Sequence, residues 1–312
     1  MNSFIEALFT KYHIRKTRAQ KAGFVEYMKS VSLKYGFSYR IENAPFGSKN
    51  IVIGTPERAK VVYTAHYDTS AVSPVPNIIT PKNILLYILY QLFVTLTLVL
   101  PALAVGYGAY GLLSLTAIGG GMARIISLVL GWAALIFATV LLVAGPANKA
   151  TANDNTSGVA TVISIMERLT AEQRNKVAFI LFDLEEAGLI GSSAFAARHK
   201  KDMEARLVIN FDCVSEGDDI LFWLRRRANG YKTRIEEAFG SDGHFRVEVA
   251  DRGIFCPSDN LSFPMGVAVT AFKRTRGGLL YLTKIHTKRD TVFSDKNIEF
   301  LAEGAVKLIE ML

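Results

Sequence analysis

Two histidines and several carboxylates stand along this 312-residue chain in settings that suit metal-assisted hydrolysis. The candidate ligands are His66 in Ala65-His66-Tyr67-Asp68-Thr69, Asp154 in Asn153-Asp154-Asn155-Thr156-Ser157-Gly158, Glu186 behind Glu185, Asp212 in Asn210-Phe211-Asp212, and His286 in Ile285-His286-Thr287. Two imidazoles and three carboxylates match the donor preferences of a pair of zinc-class divalent ions, with one carboxylate shared. Glu185 is then left over to move protons. Asp68, two residues beyond His66 in extended chain, points the same way and can fix the imidazole tautomer.

Each motif alone has a plainer reading. A His-x-Asp pair is more often a surface hydrogen bond, and Asp154 reads as an Asx-turn or helix-capping residue. An acidic pair such as Glu185-Glu186 also complements a helix dipole. Adjacent residues point apart, however, so one glutamate can hold a metal while the other reaches the water beside it. The joint pattern carries the inference, because all five ligands fall at the end of an apolar run or in a polar turn.

The elements that must position these residues alternate. Residues 17–35 have helical spacing of Ala22, Phe24, Tyr27, Met28, Val31 and Leu33, and Gly36 stops the pattern. Short β-prone runs follow at 38–41 and 51–53, and residues 61–65 lead straight into His66. Residues 159–169 form an apolar helix; 177–182, 207–211 and 267–272 read as buried strands, 281–285 as the run before His286, and 296–312 as an amphipathic helix. This alternation predicts a three-layer α/β/α domain with a mixed, mostly parallel central sheet. Residues at the ends of such strands gather along one sheet edge.

One segment departs from globular character. From Asn83 to Asn148 the only charged residue is Arg124. Residues 84–105 and 125–145 are each long enough to cross the roughly 30 Å apolar core of a bilayer, and Pro101 kinks the first without excluding it. The Gly-rich piece between them, 106–121, either prolongs the first helix or ends it in a re-entrant turn. The organisation expected is a discontinuous domain, residues 1–82 and 149–312, interrupted by a transmembrane hairpin over 83–148. The hairpin takes 66 of the 312 residues and leaves 246, ample for one α/β domain. Two crossings return the chain to its starting side, so His66 and Asp154 can share a site. Its ends then emerge beside those ligands, which places the site's mouth near the membrane surface. Peptides would reach it laterally, or the substrate would itself be membrane-associated.

The net charge of +8 resides mostly in the domain. With Lys82 and Lys149 flanking the hairpin, it places the domain in the cytoplasm by the positive-inside tendency. Arg225-Arg226-Arg227 lacks the aromatic interleaving of a nucleic-acid module and reads as a solvated or headgroup-facing patch, so no nucleic-acid partner is expected. The opening MNSFIEALFTKYHIRK does not read as a secretory signal. Two cysteines, Cys213 and Cys256, suit a reducing compartment.

The chain resembles the di-zinc aminopeptidase family, whose relatives include glutamate carboxypeptidases, glutaminyl cyclases and the transferrin receptor ectodomain. The resemblance rests on the motifs above together with Glu185-Glu186-Ala187-Gly188-Leu189-Ile190-Gly191-Ser192, Pro257-Ser258-Asp259-Asn260 and Asp290-Thr291, and spans residues 61–291. It implies two zinc ions per chain: His66 and Asp212 on one, Glu186 and His286 on the other, Asp154 bridging, Glu185 as general base and then acid, and Asp68 orienting His66. A membrane-anchored exopeptidase acting on peptides, most simply an aminopeptidase, is the activity implied. Two other readings stay open: a glutaminyl-cyclase-like acyltransferase on one zinc, and a metal-free scaffold of the same fold. The chain departs from the family's pattern at the hairpin, which fills what is usually a short loop. It departs again at Ile285, where some relatives place an oxyanion-stabilising tyrosine; Tyr281, Asn260 or a metal would have to serve instead.

Overall fold

The computed structural model describes residues 3–312; Met1 and Asn2, part of the opening segment considered above, lie outside the described residues. The described residues form nine strands: β1 (Tyr39–Asn43), β2 (Lys49–Ile53), β3 (Val61–His66), β4 (Val177–Phe182), β5 (Leu207–Phe211), β6 (Asp219–Leu224), β7 (Arg246–Ala250), β8 (Gly266–Arg274) and β9 (Leu280–Tyr281). The α-helices are α1 (Ser3–Thr10), α2 (Arg18–Lys34), α3 (Ile84–Leu113), α4 (Gly120–Ala144), α5 (Gly158–Arg168), α6 (Ala171–Arg174), α7 (Ile190–Arg198), α8 (Lys200–Met203), α9 (Lys232–Ala238) and α10 (Asp295–Glu310).

The strands form one mixed sheet in the order β1-β2-β4-β3-β5-β8-β6-β7, with β9 on β8. Its centre, β4-β3-β5-β8, is parallel, and antiparallel pairs flank it. Every residue of β3, β4 and β5 is buried, as expected of strands covered on both faces. Successive side chains alternate between two cores. Val177, Phe179 and Leu181 join Tyr63, Ile209 and residues of α2, α5 and α10 on one face. Ala178, Ile180 and Phe182 meet Val62, Val208, Phe195 of α7 and Phe263 on the other. Three layers result, as the alternation requires.

The sheet differs from the expectation in two places. β6 and β7 extend it beyond β8, a parallel pair whose inner strand runs antiparallel to β8. The run before His286 is a strand only over Leu280–Tyr281. Leu282 exchanges backbone hydrogen bonds of 3.0 Å with Ile79, after which no partner strand continues. The chain then turns, Thr287 N donating to Lys284 O at 3.2 Å, and His286 sits on a loop at φ 59°.

The 83–148 segment is a pair of long helices standing off the sheet. α3 runs past Val105 to Leu113, so the Gly-rich piece prolongs the helix and does not form a re-entrant turn. α3 and α4 span 30 and 25 residues with mean hydropathies of 2.1 and 2.6, and only 6% of each apolar window is buried. Gly106 and Gly131 let them touch: a Cβ on Gly131 would lie 3.5 Å from the Gly106 Cα. The hairpin's root is stitched to the domain. Ala71 bridges Ala147, Val72 N donates to Pro146 O (2.8 Å), and Asn148 N donates to Ser70 O (3.0 Å).

Candidate metal centre

The parallel register brings three strand ends level. His66, the last residue of β3, pairs with Phe182 of β4, and Thr64 pairs with Asn210 of β5. The residues following β4 and β5, Glu185-Glu186 and Asp212, therefore open onto the same edge as His66. Asp154 arrives from the turn before α5. Gly158 at the start of α5 has no room for a side chain: a Cβ would lie 2.3 Å from Phe211 O and 2.4 Å from Asn155 Oδ1. That close approach, with Asn155 Nδ2 donating to Phe211 O at 2.9 Å, presses the Asp154 turn against the end of β5.

Asp154 divides its two oxygens between two groups. Oδ1 lies 3.3 Å from His66 Nε2, which is itself 3.5 Å from Asp212 Oδ1. Oδ2 lies 2.9 Å from His286 Nε2, which is 3.1 Å from Glu186 Oε2. In each trio, His66–Asp154–Asp212 and Asp154–Glu186–His286, the donor atoms lie within 4.8 Å of one another. Two adjoining groups of candidate donors sharing one carboxylate are thus laid out in the side chains. Glu185 groups with His66 and Glu186 within the same limit.

Asp68 holds this arrangement from beneath. Its Oδ1 accepts Glu185 N (3.0 Å) and its Oδ2 accepts Glu186 N (3.3 Å). His66 Nδ1 lies 3.2 Å from the Asp68 carbonyl and 3.6 Å from its carboxylate. Nε2 is therefore the nitrogen that faces the other donors. Leu184, Cys213 and His286 have φ of 56°, 57° and 59°. Such conformations are costly for residues with a Cβ, and here they fall on or beside candidate ligands, where strain concentrates at functional sites.

The electrostatics are those of a cation site. Burial disfavours a charged imidazole, yet Glu185, Asp154, Asp212 and Asp68 outweigh it and raise the His66 pKa well above its ordinary value. His286 is raised likewise by Glu186 and Asp154. Burial, with Asp212, Asp259 and Glu186 nearby, drives Glu185 well above the usual carboxylate range despite the opposing His66. Glu186 is also raised, chiefly by burial. Glu186 Oε1 and Asp212 Oδ1 are buried without a hydrogen-bond partner. Among the described residues, no lysine or arginine pairs with Asp154, Glu185, Glu186 or Asp212. Carboxylates crowded together and unsatisfied call for an external cation, and the mixed imidazole–carboxylate donors fit zinc.

Two aspartates at the site were not given roles from sequence. Asp290 Oδ1 and Oδ2 accept Asn153 N (2.9 Å) and Asp154 N (3.0 Å), anchoring the turn that carries Asp154. Burial and Asp154 push its pKa up to about 8. Asp259 is fully buried near Glu185, and neither oxygen meets a donor in hydrogen-bond geometry. Burial first, then Asp68 and Asp212, push its pKa up to about 7; His66 opposes the rise. Both residues stand inside quoted motifs, so their presence was visible, but only the fold shows what they touch.

Residues 139–304, just over half the chain, match the model of Peptidase family M28. The chain belongs to peptidase family M28. The matched stretch of this metallopeptidase holds Asp154, Glu185, Glu186, Asp212 and His286, while His66 lies before it, across the inserted hairpin. Among solved structures, the M28 chain is similar to a Zn-dependent exopeptidase from Parabacteroides distasonis, with a TM-score of 0.58, 13% identity, and coverage of 98% of this chain and 95% of that one. It is similar to Porphyromonas gingivalis glutaminyl cyclase (TM-score 0.57, 12% identity, 99% and 96% covered). It is similar also to the Legionella pneumophila LapA aminopeptidase (TM-score 0.54, 15% identity, 98% and 68% covered). At these identities the likeness is one of fold. No curated protein matches the chain.

Proposed function

We propose that this M28 chain is a membrane-anchored exopeptidase, most simply an aminopeptidase, working with two zinc ions. The observation that carries the proposal is the division of the Asp154 oxygens between the His66–Asp212 and His286–Glu186 groups. A site for a single ion would not need both oxygens of one carboxylate turned to opposite imidazoles. Bound zinc would supply Lewis-acid polarisation of the scissile carbonyl and a water acidified to near neutrality.

The chain's own residues supply the rest. Glu185 is placed through its backbone by Asp68, which leaves its carboxylate free of structural duty. It takes the proton of the attacking water and returns it to the leaving amine. Asp68 keeps His66 Nε2 turned inward, and Asp290 keeps Asp154 in place. Tyr281 and Asn260 remain the candidates among the side chains for oxyanion stabilisation. Ile285, where some family members have tyrosine, has no group for it.

The membrane reading rests on length, apolarity and exposure of α3 and α4. The root of that hairpin is fastened to the site: Ser73 N donates to His286 O (2.8 Å) and Asn148 Nδ2 to Thr287 O (3.1 Å). Lys16 Nζ donates to Val143 O at the end of α4 (2.6 Å). Residues 1–82 and 149–312 then form one cytoplasmic peptidase domain whose mouth lies at the bilayer surface, reached by peptides moving along it.

The test is a peptide-library digest by detergent-purified full-length protein, wild type against Glu185→Gln, with zinc counted in both. Release of N-terminal residues by wild type alone, at two zinc per chain, is expected. Intact peptides would end the exopeptidase reading, and one zinc per chain with cyclised N-terminal glutamine would install the glutaminyl cyclase reading instead.

A further inference from the structure

Among the described residues, Arg15 is the largest side chain with no solvent exposure, and it forms no ion pair with any carboxylate there. Burying an unpaired guanidinium is expensive unless its donors are used. Four of its five N–H donors are used, all on oxygens. Nε donates to Tyr67 O, Nη1 to Tyr12 O (2.6 Å), and Nη1 and Nη2 both to Thr156 Oγ1 (3.2 and 3.3 Å). Its backbone N–H donates to Thr69 Oγ1 at 3.0 Å. Tyr67 and Thr69 flank Asp68 immediately after His66; Thr156 stands two residues after Asp154. The guanidinium lies over Phe24 at 5.3 Å, and Phe24 stacks on Tyr67. Its position is thus fixed by packing as well as by hydrogen bonds.

These two loops come from opposite sides of the inserted hairpin, so sequence proximity does nothing to hold them together. We infer that Arg15 is a positioning residue for the metal centre: its fork ties the His66–Thr69 segment to the Asp154–Thr156 turn, and its charge offsets the crowded carboxylates before a cation arrives. This rests on the metallopeptidase reading above. Arg15 touches neither substrate nor metal donors; it fixes the spacing between His66 and the shared carboxylate. A lysine cannot replace it, because one ammonium point cannot reach both the Tyr67 carbonyl and the Thr156 hydroxyl as a planar fork does.

The test is zinc affinity of the full-length, detergent-solubilised, metal-stripped protein, measured by competition with a chromogenic chelator, with no reading of activity. Arg15→Gln and Arg15→Lys should each weaken zinc by about 10- to 100-fold, the usual effect of losing a partner behind the ligands. Thr156→Val, which keeps shape and removes the shared acceptor, should weaken it in the same direction. The Arg15→Gln/Thr156→Val double variant should be no weaker than the worse single one, since both cut one tie. Ile235→Ala, a core truncation on α9, which packs against α10 and β7 and not against either loop, should lower the melting temperature and leave zinc affinity unchanged. If Arg15→Gln does not fold, the Lys and Thr156→Val variants carry the test. Zinc binding within two-fold of wild type in those variants overturns the inference alone, as does a double variant whose losses multiply. Wild-type protein that takes up no zinc overturns the metallopeptidase reading with it.

Discussion

Asp259 sets up a pH effect that can be worked through. Its carboxyl is wholly buried beside Glu185, without a hydrogen-bond donor, and its pKa is pushed up from 3.8 to about 7. Between those values the folded protein keeps the proton while the unfolded chain has lost it. Stability from this group is therefore intact below pH ~4 and declines as pH rises, the penalty being complete above pH ~7. At 1.36 kcal/mol per tenfold change in acidity, the displacement amounts to about 4 kcal/mol as an upper figure. Asp259→Asn removes the titration. The amide brings its own cost, about 1–3 kcal/mol if its donors stay unpaired, but that cost is independent of pH. The difference in stability between wild type and Asp259→Asn should thus move by about 3 kcal/mol in favour of the variant between about pH 4.5 and pH 8.5. In a domain of this size that corresponds to roughly 6–12 °C in melting temperature. The assay is thermal unfolding of chelator-treated protein in detergent across that range. A difference that stays flat with pH would refute the reasoning. Saturating zinc should shrink the effect in wild type, because a nearby cation favours the charged carboxylate.

Further outcomes follow from the site's geometry. Asp154→Asn keeps the shape but leaves one acceptor oxygen where two are used, so bound zinc should fall from two per chain to one or fewer by metal analysis. Glu185→Gln should retain zinc and lose about 10²–10⁴ in kcat, read by parallel metal content and peptide hydrolysis; loss of metal would contradict its role as a proton carrier alone. Gly158→Ala places a Cβ 2.3 Å from Phe211 O, so it should destabilise by about 1–3 kcal/mol in urea unfolding, and an unchanged midpoint would show the contact to be soft. Asp68→Asn leaves one acceptor for the Glu185 and Glu186 amides, and should lower zinc affinity by about 10- to 100-fold in chelator competition.

The parts of the molecule that were legible from sequence share a physical reason. β3, β4 and β5 are buried on both faces, so their residues are apolar without interruption, and His66 and Asp212 stand out at the point where polarity returns. The hairpin is equally plain, since almost no charge enters it over 66 residues. The loop bearing His286 was less legible: residues 281–285 read as an apolar run, but the pairing passes from β8 to Ile79 at Leu282 and then stops. β7 went unassigned because it is a half-exposed edge strand, Arg-Val-Glu-Val-Ala, with charges inside it; β6, with an apolar run over residues 220–224, was legible and was not read. Arg15 was invisible for a different reason. Its contacts lie 52 and 141 residues away, and a lone arginine near the start of a chain reads as surface until the fold encloses it.

The sheet's order has a consequence for biogenesis. β3, the strand bearing His66, lies between β4 and β5, both of which are synthesised after the hairpin. With the hairpin in a bilayer, the emerging N-terminal part would have no neighbours to complete it until α3 and α4 had been integrated and the chain had come back. The His66 strand would then gain its two neighbours only after both helices had been made, so proteolytic competence would come late in synthesis.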